Sequence, residues 1–245
     1  LRTVPLTLPR SLVSEPVCFS DAHVHLDHVL WTRGWGKKWF YKREPCRFKQ
    51  PCTFQKCLRA HEGELQPRLP IERKDFEAFA LDLNRLEGFA GCVHSCCDAN
   101  GIDRAKQFVT WGREMLGGKV FVCFGMHPAT FEQYTPEVEA RLVAGMEECG
   151  AQAVGWGECG LDYYRRQWDV SDDAVKDQMH QVFIKQVKLA VERGWPLIVH
   201  ERGALEDTMV ILSEHLPRHH PVCVHSFSGN AKQLHSFVSW WHHGY

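Results

Sequence analysis

Residues 20–28 read SDAHVHLDH, three histidines and two aspartates in nine positions, at the end of a short apolar run, VCFSDAHVH (17–25). The run is rich in small and apolar residues, the composition of a buried strand. His23 and His25 are two residues apart, so both point to the same side of that strand and can bind one cation together. Asp27 and His28 lie beyond it and read as loop residues, not ligands. Whether this stretch is a metal site or a polar loop depends on what other strands bring to it.

Five further apolar runs follow: FAGCVHSCC (89–97), KVFVCFGMH (119–127), AQAVGWGE (151–158), WPLIVH (195–200) and PVCVHSF (221–227). Stripes of helical period separate them. Phe76, Phe79, Ala80, Leu83 and Leu86 form one stripe, and Val175, Met179, Val182, Phe183, Val187 and Ala190 a second. Leu205, Met209, Leu212 and Leu216 make a third, and Leu234, Phe237, Val238 and Trp241 a fourth. Thr135-Pro136-Glu137 has the form of a helix start, with Thr as N-cap and Pro in the first turn. Strand then helix, repeated, means parallel strands with crossover helices. Six such units fit an open doubly wound sheet, and they fit most of a (β/α)8 barrel.

The polar residues decide between these. His23 and His25 close the first strand, His127 the third, Glu158 the fourth, His200 the fifth and His225 the sixth. In a barrel the carboxyl ends of all strands face one pocket, so these side chains converge. An open sheet spreads them along a line. One histidine at a strand end is commonly a satisfied core residue, but five in register with a glutamate are not explained that way. Imidazole and carboxylate ligands suit Zn, Mn, Fe or, with waters, Mg. The expectation is an α/β fold of the (β/α)8 TIM-barrel type with a metal centre.

At 245 residues, 44% hydrophobic and 24% charged, the chain has the composition of a soluble globular protein. No apolar run reaches the roughly 18 residues of a membrane helix, and residues 1–16 read as an extended, Pro-containing leader rather than a signal peptide. Of the eleven cysteines, eight (Cys18, Cys92, Cys96, Cys97, Cys123, Cys149, Cys159 and Cys223) fall in apparent core segments. Buried free thiols fit a reducing interior, cytoplasmic or nuclear.

The motifs DAHVHLD (21–27), GMHP (125–128), VGWGECGLDYY (154–164), PLIVHERGA (196–204) and HSFSG (225–229), in this order and spacing, resemble the TatD family of metal-dependent deoxyribonucleases, a branch of the amidohydrolase-type barrels. The match covers about residues 17–30 and 72–245. The resemblance implies a barrel over 17–245, in which His23, His25 and Glu158 hold one divalent cation (Mg, Mn or Zn). Glu158, His200 and His225 would hold a second, with Glu158 as the bridge. Two cations about 3.5–4 Å apart can activate a water and stabilise the leaving oxygen of a phosphodiester. His127 and Arg202 would contact substrate phosphate, Arg as a bidentate donor, and Asp162 would shape the loop after strand four.

Three features depart from the family pattern. His200-Glu201-Arg202-Gly203 stands where the family has His-Ser-Arg-Asp, and His225-Ser226-Phe227 where it has His-Cys-Phe. The third concerns two further strands and a Thr-Asp pair, whose aspartate ligates the first cation. The sequence ends at HHGY (242–245), where strand seven is due. The expectation is a C-terminally incomplete barrel: either the sequence is a truncated fragment or isoform, or the barrel is open and that cation is one ligand short.

Residues 31–70 form a long insertion where relatives have a short connection. They carry ten Lys/Arg against three Glu, a net +7, leaving −8 for the rest of a chain whose total is −1. Aromatics interleave with the cations, as a nucleic-acid contact surface requires. Within 46–61, Cys46, Cys52, Cys57 and His61 are spaced C-x5-C-x4-C-x3-H, enough for a tetrahedral zinc site. The spacing resembles a CCCH-type zinc finger, which implies one structural Zn supplying the folding energy of the module. Phe48, Phe54, Lys37, Lys38 and Arg47 are the expected nucleic-acid contacts.

The function expected is a metal-dependent nuclease acting on DNA or RNA. One alternative is an inactive nucleic-acid-binding protein that keeps barrel and finger. Another is an amidohydrolase acting on an amide or lactone, against which the basic, aromatic insertion argues.

Overall fold

The computed structural model describes residues 19–27, 29–30, 71–164, 172–227 and 229–242, with the side chains of 19–23 and 240–242 left aside. The expected leader (1–16) and the insertion (31–70), with its proposed zinc ligands Cys46, Cys52, Cys57 and His61 and the contacts Lys37, Lys38, Arg47, Phe48 and Phe54, lie outside the described residues.

Six strands form one sheet: β1 (Phe19–Val24), β2 (Phe89–Cys96), β3 (Val120–Phe124), β4 (Ala153–Asp162), β5 (Leu197–Arg202) and β6 (Val222–His225). They pair in sequence order, and every pair is parallel. Helices α1 (Arg73–Asn84), α2 (Ile102–Leu116), α3 (Pro136–Cys149), α4 (Asp173–Arg193), α5 (Leu205–His215) and α6 (Ala231–His242) complete the units. A doubly wound sheet reverses its strand order at a switch point. This order never reverses, so right-handed crossovers put every helix on the same face, as in a barrel.

Alternation along the strands sorts side chains between two layers. Val122 and Phe124 of β3, Trp156, Cys159 and Leu161 of β4, and Leu197 and Val199 of β5 join one buried core with Met146, Phe183, Val187 and Leu212. A second core packs Leu26, Phe76, Phe79, Phe89, Cys92, Phe108 and Val120. Burying each such side chain contributes roughly 1.5–3 kcal/mol. Thr135 caps α3 as expected, its hydroxyl accepting from Val138 N–H at 3.3 Å, with Pro136 at the first turn. Among the described residues no helix is long and apolar enough to cross a membrane.

Two expectations need correction. The fourth strand does not end at Glu158 but runs on to Asp162, because Cys159 and Leu161 continue the alternation and bury their side chains in the core. The fourth stripe is not a buried face: Phe237 is buried, but Leu234 and Val238 are exposed. At the end of the described sheet, α6 has fewer strands to cover than α3 or α4.

Candidate metal centre

β4 brings the central residue. Its register with β5 pairs Gly157 with Ile198 and Cys159 with Val199, so Glu158 is the extra residue of a bulge. Bulges re-aim a side chain, and this one turns Glu158 to the face opposite the core. Gly157 (φ +147°) and Gly160 (φ +147°) let β4 lie close to β5, since a Cβ at either would run into the carbonyl oxygen of Ile198 or His200.

Glu158 is almost fully buried, and its two oxygens face different groups. Oε1 is 3.6 Å from His25 Nε2 and 3.3 Å from Cys97 Sγ. Oε2 is 3.2 Å from His200 Nδ1, 3.8 Å from His225 Nε2 and 4.0 Å from His127 Nε2. His25 follows β1 and His225 ends β6, the two ends of the strand order. A flat sheet would hold β1 about 14 Å from β4, three strand spacings away. Their contact with one carboxylate requires the sheet to curl. The described strands are an open arc of a barrel.

The family model for TatD related DNase matches residues 68–243. This chain belongs to that family. It is 31% identical over 143 residues to the human 3'-5' RNA nuclease TATDN2, a match covering 58% of this chain and 17% of that protein. It is 35% identical over 136 residues to the metal-dependent hydrolase YabD of Bacillus subtilis, covering 54% of this chain and 49% of YabD. The chain thus spans half or less of the length of these two relatives. Among solved structures, YJJV, a TatD homologue from Escherichia coli, superposes with TM-score 0.54 at 25% identity, covering 67% of this chain and 59% of that one. A TatD family hydrolase from Entamoeba histolytica shares the fold at TM-score 0.64 and 17% identity, covering 92% of this chain and 64% of that one.

In this TatD-related chain the expected residues are placed as follows. His25, Glu158, His200, His225 and His127 converge. His23 lies on β1, and its side chain is outside the described residues. Arg202 is on the same side of β5 as His200, two residues further along, exposed, with its guanidinium 5.6 Å from the Tyr164 ring. Asp27 is not a loop residue: it lies in a helical stretch that follows β1, where Val29 N–H donates to the His25 carbonyl, and it pairs with Arg104 at 3.2 Å. His28 is outside the described residues.

The hydrogen bonds at His127 fix its proton. Ala129 N–H donates to His127 Nδ1 at 2.9 Å, so in the neutral ring the proton sits on Nε2. Nε2 faces His200 Nδ1 at 3.2 Å as a donor. His127 is thus arranged to give a hydrogen bond, and His200 Nδ1 stands 3.2 Å from both His127 Nε2 and Glu158 Oε2. On the far side of His200, Nε2 is buried without a hydrogen bond of good geometry, and Asp162 Oδ2 stands 3.4 Å away. Burial opposes charge on His200, but its contacts to Asp162 and Glu158 outweigh it and raise the ring's pKa. Burial, and then the charge of Glu158, push the Cys97 thiol well above its usual range.

A buried carboxylate ringed by imidazoles and a thiol suits a cation. Taking its charge out of water costs several kcal/mol unless the charge is matched, and a divalent cation held by the surrounding donors would match it. The donor atoms His25, Cys97 and Glu158, and separately His127, Glu158 and His200, lie within 4.8 Å of one another. Of the second set, the His127 tautomer removes one member as a ligand.

Sequence reasoning missed three features. Asp162 shapes its loop, accepting from Tyr164 N–H at 3.0 Å, but it also backs His200. Cys97 reads as a core thiol, yet odd-numbered positions at the end of β2 face the site: Cys96 is buried in the core, Cys97 only half-buried. Alternation from the buried Cys96 was a usable signal. The bulge at Glu158 left no trace in the sequence.

Proposed function

We propose that this chain is a two-metal nuclease that hydrolyses phosphodiester bonds of single-stranded RNA or DNA. The observation that carries the proposal is the division of Glu158: one oxygen addressed to His25, the other to His200 and His225. A carboxylate so divided suits a bridge between two cations, with His23 completing the first set. Divalent cations there would polarise the phosphodiester and make water a better nucleophile. Asp162 would hold the His200 ring in the tautomer that leaves Nδ1 free, as carboxylates commonly do for metal-bound histidines. His127 would donate from Nε2 to a phosphate oxygen, and Arg202 would clamp the phosphate with two parallel N–H bonds. Tyr164, exposed beside Arg202, offers a ring for a base to stack on.

The TatD protein of Salmonella typhimurium is a 3'-5' ssDNA/RNA exonuclease, which favours a single-stranded substrate, and TATDN2 is a 3'-5' RNA nuclease, which favours including RNA. The insertion would capture substrate through its cations and aromatics, folded around one zinc held by Cys46, Cys52, Cys57 and His61. The described cysteines are free thiols, mostly buried, which suits a reducing interior.

The test is hydrolysis of labelled single-stranded DNA, duplex DNA and RNA with Mg²⁺ or Mn²⁺, with chelator, and with Glu158→Gln. Metal-dependent cleavage lost in the variant is expected. Binding without cleavage under every condition would overturn the proposal in favour of a nucleic-acid-binding protein.

A further inference from the structure

Cys97 is held in place more firmly than a loop residue needs to be. Its carbonyl accepts from His127 N–H at 3.1 Å and from the Thr130 hydroxyl at 3.2 Å. One residue earlier, the Cys96 carbonyl accepts from Gly125 N–H at 3.1 Å. One residue later, the Asp98 carboxylate accepts from Asn100 and Gly101 N–H at 2.8 and 2.9 Å and opens α2. The thiol is thereby fixed at the mouth of the sheet, on the face that carries Glu158.

Its distances suit coordination. Cys97 Sγ is 3.3 Å and His25 Nε2 3.6 Å from the same oxygen, Glu158 Oε1, and the three donor atoms lie within 4.8 Å of one another. Zinc bond lengths of about 2.3 Å to sulfur and 2.0–2.2 Å to nitrogen and oxygen give a tetrahedron with edges of roughly 3.4–3.6 Å. The two distances to Glu158 Oε1, 3.3 and 3.6 Å, fall close to those edges.

We propose that Cys97 is a thiolate ligand on the Oε1 side of Glu158, beside His25, and that it makes this position select a thiophilic cation such as Zn²⁺ over Mg²⁺. The inference rests on the metal-site reading above. Coordination forms a sulfur–metal bond and releases the thiol proton to solvent, so no oxidant or reductant is needed. A sulfur ligand shifts preference from oxygen-seeking to borderline-soft cations. The Oε2 side has imidazoles but no sulfur donor, so its preference for Zn²⁺ over Mg²⁺ is the weaker of the two.

The experiment loads the metal-free chain with Co²⁺, a coloured stand-in for Zn²⁺. Cys46, Cys52 and Cys57 are replaced by Ser so that the insertion contributes no thiolate. A near-ultraviolet thiolate-to-Co²⁺ charge-transfer band is expected. In Cys97→Ser that band should vanish, while the visible bands of Co²⁺ on imidazole and carboxylate persist and the Zn²⁺ over Mg²⁺ affinity ratio falls at least about tenfold. Visible bands without the charge-transfer band in the parent would overturn the role of Cys97 and leave the metal site standing. No Co²⁺ absorption in the parent would overturn both. The parent spectrum decides even where Cys97→Ser folds poorly, and Cys97→Ala serves as a second variant.

Discussion

The two sides of Glu158 are built differently. On the Oε2 side, His200 is buried on β5, backed by Asp162 and paired in register with His225 of β6. On the Oε1 side, His25 is more than a third exposed at the end of β1, and its neighbour is a half-buried thiol. Behind that thiol is a seam between β1 and β2 closed by a histidine: Leu26 N–H donates to His94 Nδ1 at 3.2 Å. The Oε2 side therefore depends on a rigid sheet with a carboxylate behind its ligand. The Oε1 side depends on how well the seam holds β1 in place.

The largest effect should come from the residue the two sides share. Glu158→Gln should lower metal-dependent hydrolysis by about 10³-fold, roughly 4 kcal/mol of transition-state stabilisation. The metal-free variant should melt no lower than the parent, since Gln keeps the shape and removes a buried charge. A variant that keeps a tenth of the activity would break the comparison at its centre.

Next is the acid lability of the Oε1 side. Burial holds His94 largely neutral, with its pKa lowered to about 4. The unfolded chain takes up that proton near pH 6.5, so the stabilisation is fully present above about 6.5 and is lost as pH falls towards 4. The amount is about 3 kcal/mol. Urea unfolding between pH 7 and 4 should show the decline, and His94→Asn, with a side-chain acceptor in place of Nδ1, should flatten it. An equal slope in parent and variant would remove His94 from the account.

A smaller effect should separate the two cations. Asp162→Asn should weaken one binding event by about 10- to 100-fold and leave the other unchanged in a calorimetric titration. Equal weakening of both would mean that Asp162 acts on the whole site rather than on His200. Smallest of all, Leu234→Ser should change stability by less than about 0.5 kcal/mol, because its side chain already meets solvent on α6. A larger loss would restore the fourth stripe as a buried face.

Strand ends carrying histidines were legible from alternation and from recurrence. They pointed to a barrel before any ligand was assigned, and the convergence of His25, Glu158, His200 and His225 follows that pattern. What the sequence hid has physical causes. The bulge at Glu158 is a matter of register between β4 and β5, which no single segment encodes. Asp162 looked like a turn residue because its Tyr164 contact is local, while its contact with His200 spans two strands. Cys97 resembled its buried neighbour Cys96 in type, and only the face on which each lies distinguishes them. The apolar positions of α6 have the right period, but period alone does not supply a partner surface.

The central claim is that Glu158 joins two cations. Equilibrium dialysis of the metal-free chain against Mn²⁺, with the insertion cysteines replaced by Ser, counts the bound ions, and their electron paramagnetic resonance reports whether the spins interact. Two Mn²⁺ per chain with coupled spectra is the result this account predicts. One Mn²⁺, or two whose spectra remain independent, would contradict it.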